Sequence, residues 1–163
     1  MPVFVALGAN VGEPLAQLRR AVERLSAGVR ISAVSNVYLT EPVGFSAQPD
    51  FYNLVLGGTT DLTVFDLHRL AEGAEREIGR VRTVRDGPRL IDVDLLAYGE
   101  LAMESEELTI PHPRLHFRRF VVEPLAEIAP GWRHPVIGRT AAGLLELLEG
   151  GGSVVRLGPL REE

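Results

Sequence analysis

The chain has 163 residues, of which 45% are hydrophobic, and it carries a formal net charge of −5. This length suits one compact domain with its own core, and the apolar content excludes a disordered chain. The mild acidity argues against a general nucleic-acid or membrane binder. The chain has no cysteine or lysine, which excludes disulfides, thiol nucleophiles, Schiff-base chemistry and a phosphate-loop lysine. No signal peptide or bilayer-length apolar run is recognisable, and we expect a soluble cytoplasmic protein.

The first strand and helix are indicated by an apolar run and then by apolar residues at helical spacing. Residues 3–7 predict a strand. Residues 8–14 predict a tight turn rather than a phosphate loop, because they lack the Gly-Lys-Ser/Thr sequence. Pro14 suits the first turn of the helix, which we expect to end near Gly28. Alternation over residues 29–38 predicts the second strand.

A long loop and a further strand follow. Residues 40–50 contain two prolines and no periodic pattern, and loops of this length in small domains are often functional. In the strand predicted at residues 51–60, Phe51 and Asn53 share one face. This pair could stack on and hydrogen-bond a flat heterocycle. A core aromatic beside an Asn that bonds local backbone is an equally good alternative.

The second helix is predicted to begin after Thr63, a good N-cap, and to end at Gly79. Four arginines then occur within ten residues: Arg80, Arg82, Arg85 and Arg89. A charged surface run is the ordinary alternative. We favour an anion site, because guanidinium groups match phosphate geometry and this cluster immediately precedes two acids.

Those two acids, Asp92 and Asp94, lie in the aliphatic stretch of residues 89–96, which predicts a buried strand. Strand side chains alternate between faces, so both acids project to the same side. Two anions about 5 Å apart repel each other by about 3 kcal/mol at an effective dielectric of about 20. A bound cation removes that repulsion, and Mg²⁺ prefers carboxylate oxygens. The alternative is an edge strand with two solvated acids, which the depletion of Asp in strands disfavours.

Two prolines bracket His112 and restrict its backbone. A zinc pair of His112 and His116 is disfavoured, because the His-Glu-x-x-His pattern is missing and Pro113 interrupts a regular helix through both.

The C-terminal third is otherwise predicted to be helical. Helices are expected at residues 120–128 and 139–149, and the second is expected to bury Ala142, Leu145 and Leu148. A run of three glycines then leads into a loosely attached tail, residues 150–163, in which Val154 and Val155 predict a late strand.

The predicted order over the first hundred residues is strand-helix-strand-strand-helix-strand. This is the ferredoxin-like βαββαβ pattern of an α+β fold, in which both helices cover one face of an antiparallel sheet. The other face would carry Asp92, Asp94, Phe51 and Asn53, and the helical C-terminal third would wall off that site. Residues 1–163 are expected to form a single domain, since no repeat or linker is recognisable.

Several motifs, in the same order along the chain, strongly resemble one enzyme family, 6-hydroxymethyl-7,8-dihydropterin pyrophosphokinase of folate biosynthesis. The longest is GPRLIDVDLL at residues 87–96, followed by IPHPR at 110–114 and PLAEIAP at 124–130. LGAN at residues 7–10, YLTEPVG at 38–44 and QPDFYN at 48–53 match the same family. The resemblance covers nearly the whole chain.

The resemblance implies transfer of the terminal diphosphate of ATP to the pterin hydroxymethyl group, with release of AMP. It implies ATP as co-substrate and two Mg²⁺ ions held by Asp92 and Asp94. Small molecules are the expected partners, with no nucleic acid or membrane, and a monomer is expected. The residues implied in catalysis are Arg82, Arg89, Asp92 and Asp94. Those implied in ATP binding are Glu72, Glu75, Arg80, Arg82, Arg85, Arg89, His112 and Arg118. Those implied in pterin binding are Thr40, Pro42, Val43, Gly44, Phe51, Asn53 and Phe120.

The chain departs from the family pattern at four places. Asp86 stands where some members carry an aromatic residue, in an arginine loop one residue shorter, so we expect closure of this loop over ATP to differ. Phe51 replaces a Tyr, which removes a hydroxyl contact. Glu72 stands where Gln occurs, and Pro113 replaces an aromatic at the adenine side in some relatives.

Two other functions remain open at this point. A different Mg²⁺-dependent phosphotransferase or phosphohydrolase would release ADP or phosphate instead of AMP. A non-catalytic, ligand-sensing ferredoxin-like domain would bind nucleotide without turnover, but it leaves the clustered arginines unexplained.

Overall fold

The structure is a computed structural model that describes residues 1–41, 47–79, 90–148 and 154–161. The strands are β1 Pro2–Ala9, β2 Arg30–Val34, β3 Val37–Thr40, β4 Phe51–Thr59, β5 Asp92–Tyr98, β6 Met103–Glu104, β7 Thr109–Ile110 and β8 Val154–Gly158. The α-helices are α1 Pro14–Leu25, α2 Val64–Ile78, α3 Arg119–Ile128 and α4 Ala141–Leu147. None of the helices in the described ranges is both long and apolar enough to cross a bilayer.

The main sheet has the order β5-β1-β4-β3-β8, and β2 also pairs with β4. Every pairing in it is antiparallel. With β2 and β3 taken as one broken strand, this is the ferredoxin-like arrangement, and the prediction from the order of elements is confirmed. The predicted late strand is confirmed as β8, which pairs with β3.

Each face of the sheet carries its own core. One core packs α1 and α2 against alternate residues of β1, β4 and β5, including Leu7, Leu54 and Val93. The second packs α3 and α4 against the opposite face, through residues such as Ala6 and Val55. The predicted division of faces is therefore confirmed for β4 and β5. The cleft described below lies on the α3 side of the sheet.

The strand predicted at residues 29–38 is broken into β2 and β3 by Ser35 and Asn36. The Ser35 amide still donates to the Val55 carbonyl at 2.9 Å, but the Val55 amide donates to Ser35 Oγ at 3.0 Å instead of to a backbone carbonyl. The Glu127 carboxylate of α3 accepts from the Asn36 amide at 3.1 Å and from the Tyr38 hydroxyl at 2.6 Å. Side chains from outside the strand thus satisfy the backbone at the break, which alternation alone could not reveal.

The ends of α2 agree with the sequence, whereas the end of α1 differs. Thr63 caps α2 by accepting from the Asp66 amide at 3.1 Å, and Gly79 ends it at a φ of +90°, as predicted. Helix α1 ends at Leu25, before the expected Gly28.

The buried side of α4 was predicted only in part. Leu145 and Leu148 pack against the second core as expected, but Ala142 is exposed, and Ala141 and Leu144 are the fully buried residues of the helix. Thr140 caps the Gly143 amide at 3.1 Å and thereby starts the helix at Ala141, which sets the face that meets α3.

The strand β5 was expected to be internal, but it lies at the edge of the sheet and is hydrogen-bonded only to β1 among the described strands. Its outer backbone groups nevertheless have partners. The Val93 amide donates to Glu75 Oε2 of α2 at 2.9 Å, and the Leu96 carbonyl accepts from the His112 amide at 2.9 Å. Because α2 and the segment after β7 cover this edge, β5 can carry two acids without being a fully solvated strand.

Candidate active site

Strand register places the candidate pterin residue and the candidate metal residues across a single glycine. Gly8 of β1 pairs with Asn53 of β4 on one side and with Asp92 of β5 on the other. Two residues further along the strands, on the same face, Ala6 pairs with Val55 on one side and with Asp94 on the other. Two strand spacings separate Asn53 from Asp92, about 10 Å between Cα atoms. The small residues of β1 therefore leave a floor on which a flat ligand can lie between the amide and the acids.

A cleft that is partly open to solvent lies over this floor. It brings together seven of the residues implied by the resemblance, which come from three strands and from the start of α3: Thr40, Phe51, Asn53, Asp92, Asp94, Arg118 and Phe120. The cleft is thus formed where three segments of the sequence meet, residues 40–53, 92–94 and 118–120.

The orientation of Asn53 follows from its buried surroundings. Its Nδ2 donates to Thr40 Oγ1 at 2.7 Å, and both residues are buried. Its Oδ1 lies directly above Gly8, since a Cβ built on Gly8 would be 2.5 Å from that oxygen. Asn53 therefore presents a fixed carbonyl acceptor and one remaining N–H, as recognition of a heterocycle edge by hydrogen bonding requires.

This contact makes Gly8→Ala a specific test of the pterin end of the cleft. The added methyl group displaces the Asn53 amide, and the loss of one aligned hydrogen bond, about 1–2 kcal/mol, should raise the pterin KM by about tenfold. The ATP KM should stay within twofold. Steady-state kinetics with each substrate varied in turn provides the measurement.

Gly57→Ala is the matched control for that substitution. Gly57 also lies on the β1–β4 ladder, but its added Cβ would meet the Phe4 ring at 2.8 Å, among residues outside the lining of the cleft. We expect lower stability and an unchanged pterin KM. Equal pterin KM changes in the two variants would contradict the proposed orientation of Asn53.

An aromatic ring and a guanidinium group form the opposite wall of the cleft. The Arg118 guanidinium carbon lies 5.4 Å from the centroid of the Phe120 ring, a cation–π distance. This wall combines an apolar surface for a planar ring with a positive charge.

His112 lies outside the lining of this cleft and borders a neighbouring one with His116 and His134. Its Nδ1 accepts a hydrogen bond from the Arg114 amide at 3.1 Å. Burial lowers the pKa of His112 to about 4, with the charges of Arg118 and Arg114 adding to the effect and Asp92 opposing it. The ring is therefore neutral near pH 7, and its remaining proton is on Nε2.

The lowered pKa of His112 predicts how stability changes with pH. The unfolded chain takes up the His112 proton near pH 6.5 and the folded chain takes it up near pH 4, so stability falls as the pH is lowered through this interval. The full contribution is about 3 kcal/mol. His112→Asn keeps an acceptor for the Arg114 amide and should remove this part of the pH dependence. Urea unfolding from pH 7 to pH 4 measures it, and parallel curves for the two proteins would contradict the prediction.

The two glutamates implied in ATP binding lie on α2, away from the lining of the cleft. Glu75 accepts from the Val93 amide, between the two aspartates. Glu72 lies beside His68, with Oε1 and Nε2 3.6 Å apart, and both are close to Glu107. Their contact with ATP remains a prediction.

Seven of the implied residues lie outside the described residues: Pro42, Val43, Gly44, Arg80, Arg82, Arg85 and Arg89. Their predicted roles in pterin and phosphate binding stay predictions.

The residues that form the floor of the cleft were not predicted from the sequence. Ala6 and Gly8 line it, but the sequence indicated only an apolar strand and a turn there. The available signal was the alternation of β1, because its small residues share one face with both acids once the strands are paired.

Asp92 and Asp94 have the donor chemistry that a hard divalent cation requires. They alternate with buried Val93 on the same strand, both line the cleft, and neither is fully buried. Two carboxylates at this spacing can bind Mg²⁺ together with the oxygens of a polyphosphate, which is how proteins usually hold Mg²⁺ with nucleotides. These residues therefore fit magnesium.

The chain resembles known proteins over most of its length. The profile of the 7,8-dihydro-6-hydroxymethylpterin-pyrophosphokinase (HPPK) family matches residues 4–130. The 2-amino-4-hydroxy-6-hydroxymethyldihydropteridine pyrophosphokinase of Bacillus subtilis is 43% identical over 77% of this chain and 76% of its own length. The enzyme of the same name from Pseudomonas aeruginosa is 42% identical over 82% of this chain and 83% of its own length.

Other matches are longer proteins, of which this chain spans a minor part. The folic acid synthesis protein FOL1 of Dictyostelium discoideum is 34% identical over 96% of this chain but only 24% of its own length. A crystal structure of Plasmodium falciparum HPPK-DHPS with pteroate has a TM-score of 0.73 at 13% identity, covering 90% of this chain and 42% of that one. At that identity the structural match supports the fold alone. The profile match and the bacterial relatives decide the family: the chain belongs to the 7,8-dihydro-6-hydroxymethylpterin-pyrophosphokinase family.

Proposed function

We infer that this protein transfers the terminal diphosphate of ATP to the hydroxymethyl group of 6-hydroxymethyl-7,8-dihydropterin, a step of folate biosynthesis, and releases AMP. Family membership is the observation that carries this conclusion. It favours this reaction over the other phosphotransferases and over a non-catalytic sensing domain.

The floor over Gly8 supports a binding pose for the pterin. We propose that the heterocycle lies there against Phe120 and that Asn53 bonds its polar edge. The hydrogen bond from Asn53 to Thr40 holds the amide before the ligand arrives, so little ordering is needed on binding. The hydroxymethyl arm would then point along the row from Asn53 to Asp92.

At the other end of the row, Asp92 and Asp94 would hold two Mg²⁺ ions. When bound, magnesium neutralises charge on the phosphate oxygens and orients them for in-line displacement. Arg118 adds a positive charge from the wall of the cleft, and the predicted arginines 82 and 89 would add others. The hydroxymethyl oxygen bonds to the β-phosphorus, and the bond from that phosphorus to the α–β bridging oxygen breaks, so that AMP leaves with that oxygen. The proton of the hydroxyl group is released to solvent.

Incubation with ATP, Mg²⁺ and the hydroxymethyl pterin, followed by mass analysis, tests the reaction. We expect AMP and a pterin diphosphate in equal amounts, and neither product when the pterin or Mg²⁺ is omitted. ADP, free phosphate or nucleotide binding without turnover would contradict the assignment. The presence of two ions rather than one, a monomeric state and a cytoplasmic location stay predictions.

A further inference from the structure

Gln17, in the first turn of α1, is a buried polar residue to which the proposed reaction assigns no role. Only 7% of its surface is exposed, and every strong hydrogen-bonding group of its amide has a partner. Its Oε1 accepts from the Glu13 amide at 2.9 Å. Its Nε2 donates to the Val11 carbonyl at 3.0 Å and, by a short hydrogen bond, to the Leu90 carbonyl.

The contact with Leu90 is the informative one, because it joins residues 73 positions apart in sequence. Leu90 lies two residues before Asp92, and the intervening Ile91 is fully buried. A carbonyl held at Leu90 therefore determines where β5 begins and how Asp92 enters the cleft.

The side chain of Leu90 is enclosed as well. A Cβ built on Gly12 would be 3.0 Å from Leu90 Cδ2, and one built on Gly79 would be 3.5 Å from Leu90 Cδ1. Gly12 has a φ of +71°, which favours glycine and lets the β1–α1 turn approach this closely. Leu90 thus lies between the start of α1 and the end of α2, with Gln17 holding its carbonyl.

We propose that Gln17 is a positioning residue for the metal-binding carboxylates, acting through the backbone of Leu90 and Ile91. The proposal rests on the assignment of Asp92 and Asp94 as metal ligands. Asp92 is the first residue of β5, so no strand residue precedes it. Asp94 lies between Val93 and Leu95, and both of these residues pair with β1. Loss of the Gln17 contact should therefore displace Asp92 more than Asp94.

Two substitutions of Gln17 separate its hydrogen bonds. Gln17→Glu keeps the shape and the acceptor for the Glu13 amide, but it removes both donors and turns a carboxylate toward two carbonyls. Gln17→Met removes all three hydrogen bonds at similar volume. If neither variant folds, Gln17→Asn keeps the amide and shortens its reach.

Metal binding can be measured without turnover. Mn²⁺ is titrated by electron paramagnetic resonance in the presence of α,β-methylene-ATP, whose α–β bridge cannot be cleaved. We expect the Gln17 variants to bind Mn²⁺ about five- to twentyfold more weakly, as loss of one to two kcal/mol of positioning implies. The Mg²⁺ concentration for half-maximal activity should rise in parallel, and the pterin KM should stay within twofold.

Thr60→Val is the matched control for general destabilisation. Thr60 is also buried, and its hydroxyl donates to the Gly28 carbonyl at 2.6 Å and accepts from the Leu62 amide at 3.1 Å. It lies next to the end of β4 that pairs with Pro2, whereas Asp92 pairs with Gly8 at the other end of β1. This variant should lose stability and bind Mn²⁺ like the wild type. Wild-type Mn²⁺ affinity in the Gln17 variants, or equal weakening of metal and pterin, would overturn the proposal.

The premise has its own test within the same experiment. Asp92→Asn and Asp94→Asn should each weaken Mn²⁺ binding. Adding Gln17→Met should weaken Mn²⁺ binding further, and this additional loss should be smaller in the Asp92→Asn background than in the Asp94→Asn background. If neither aspartate variant changes Mn²⁺ binding, the metal-site assignment fails and the Gln17 proposal fails with it. If only the Gln17 variants behave like the wild type, the metal site stands and the positioning role alone is wrong.

Discussion

Replacing either Asp92 or Asp94 by Asn should lower kcat for AMP formation by about 10³-fold or more, since a metal site supplies several kcal/mol of transition-state charge stabilisation. The substitution preserves size and removes one charge from the pair that shares a face of β5. The loss should appear in kcat as well as in kcat/KM, because charge neutralisation matters most while the phosphorus–oxygen bonds rearrange. AMP release at saturating ATP, pterin and Mg²⁺ gives the measurement.

Asp61→Asn is a suitable control for the loss of a negative charge. Asp61 is exposed and pairs with Arg30 at 3.1 Å, on a part of the surface that does not line the cleft. Its activity should equal that of the wild type. Near-normal turnover in either cleft variant would remove the basis for placing the metal at these residues.

Asn53→Ala should raise the pterin KM by about 30- to 100-fold while changing the ATP KM little. The substitution removes the oriented acceptor above Gly8 and the N–H that completes recognition of the heterocycle edge, so two hydrogen bonds are lost at about 1–1.5 kcal/mol each. Kinetics with pterin varied at fixed ATP, supported by calorimetric pterin binding, provides the measurement.

Thr40→Val shows whether the orientation of Asn53, rather than its presence alone, is important. Valine keeps the volume of threonine but removes the acceptor that holds Asn53 Nδ2. We expect a smaller rise in the pterin KM, about tenfold, because one hydrogen bond is misaligned. The pterin KM of the double variant Thr40→Val/Asn53→Ala should be little higher than that of Asn53→Ala alone. Fully additive effects would mean that Thr40 acts independently of Asn53.

The sequence was sufficient for the facing of β4 and β5 and for the ends of α2, because those signals were local and agreed with one another. Alternation in β4 and β5 placed Asn53 and both aspartates on the face away from α1 and α2, as the two cores confirm. Thr63 and Gly79 marked the ends of α2 through capping chemistry that depends only on nearby backbone.

Features that depend on distant partners could not be predicted in the same way. Nothing local reports that Glu127 takes up the amide exposed at Asn36, so the break between β2 and β3 was missed. The edge position of β5 and the role of Gly8 depend on which strands become neighbours. The hydrogen bond from Gln17 to the Leu90 carbonyl joins the first turn of α1 to the residues just before β5, which no sequence period relates.

The central claim is that the metal and the pterin-binding amide lie at opposite ends of one short row of residues, Asp92, Gly8 and Asn53. Paramagnetic broadening by Mn²⁺, bound with α,β-methylene-ATP, tests it directly through the side-chain amide NMR signals of Asn53. Asn53 and Asp92 are two strand spacings apart, about 10 Å. At this distance the Asn53 signals should be strongly broadened in the wild type, and they should sharpen in the double variant Asp92→Asn/Asp94→Asn. Signals that stay sharp while Mn²⁺ and nucleotide are bound would place the metal elsewhere and contradict the account.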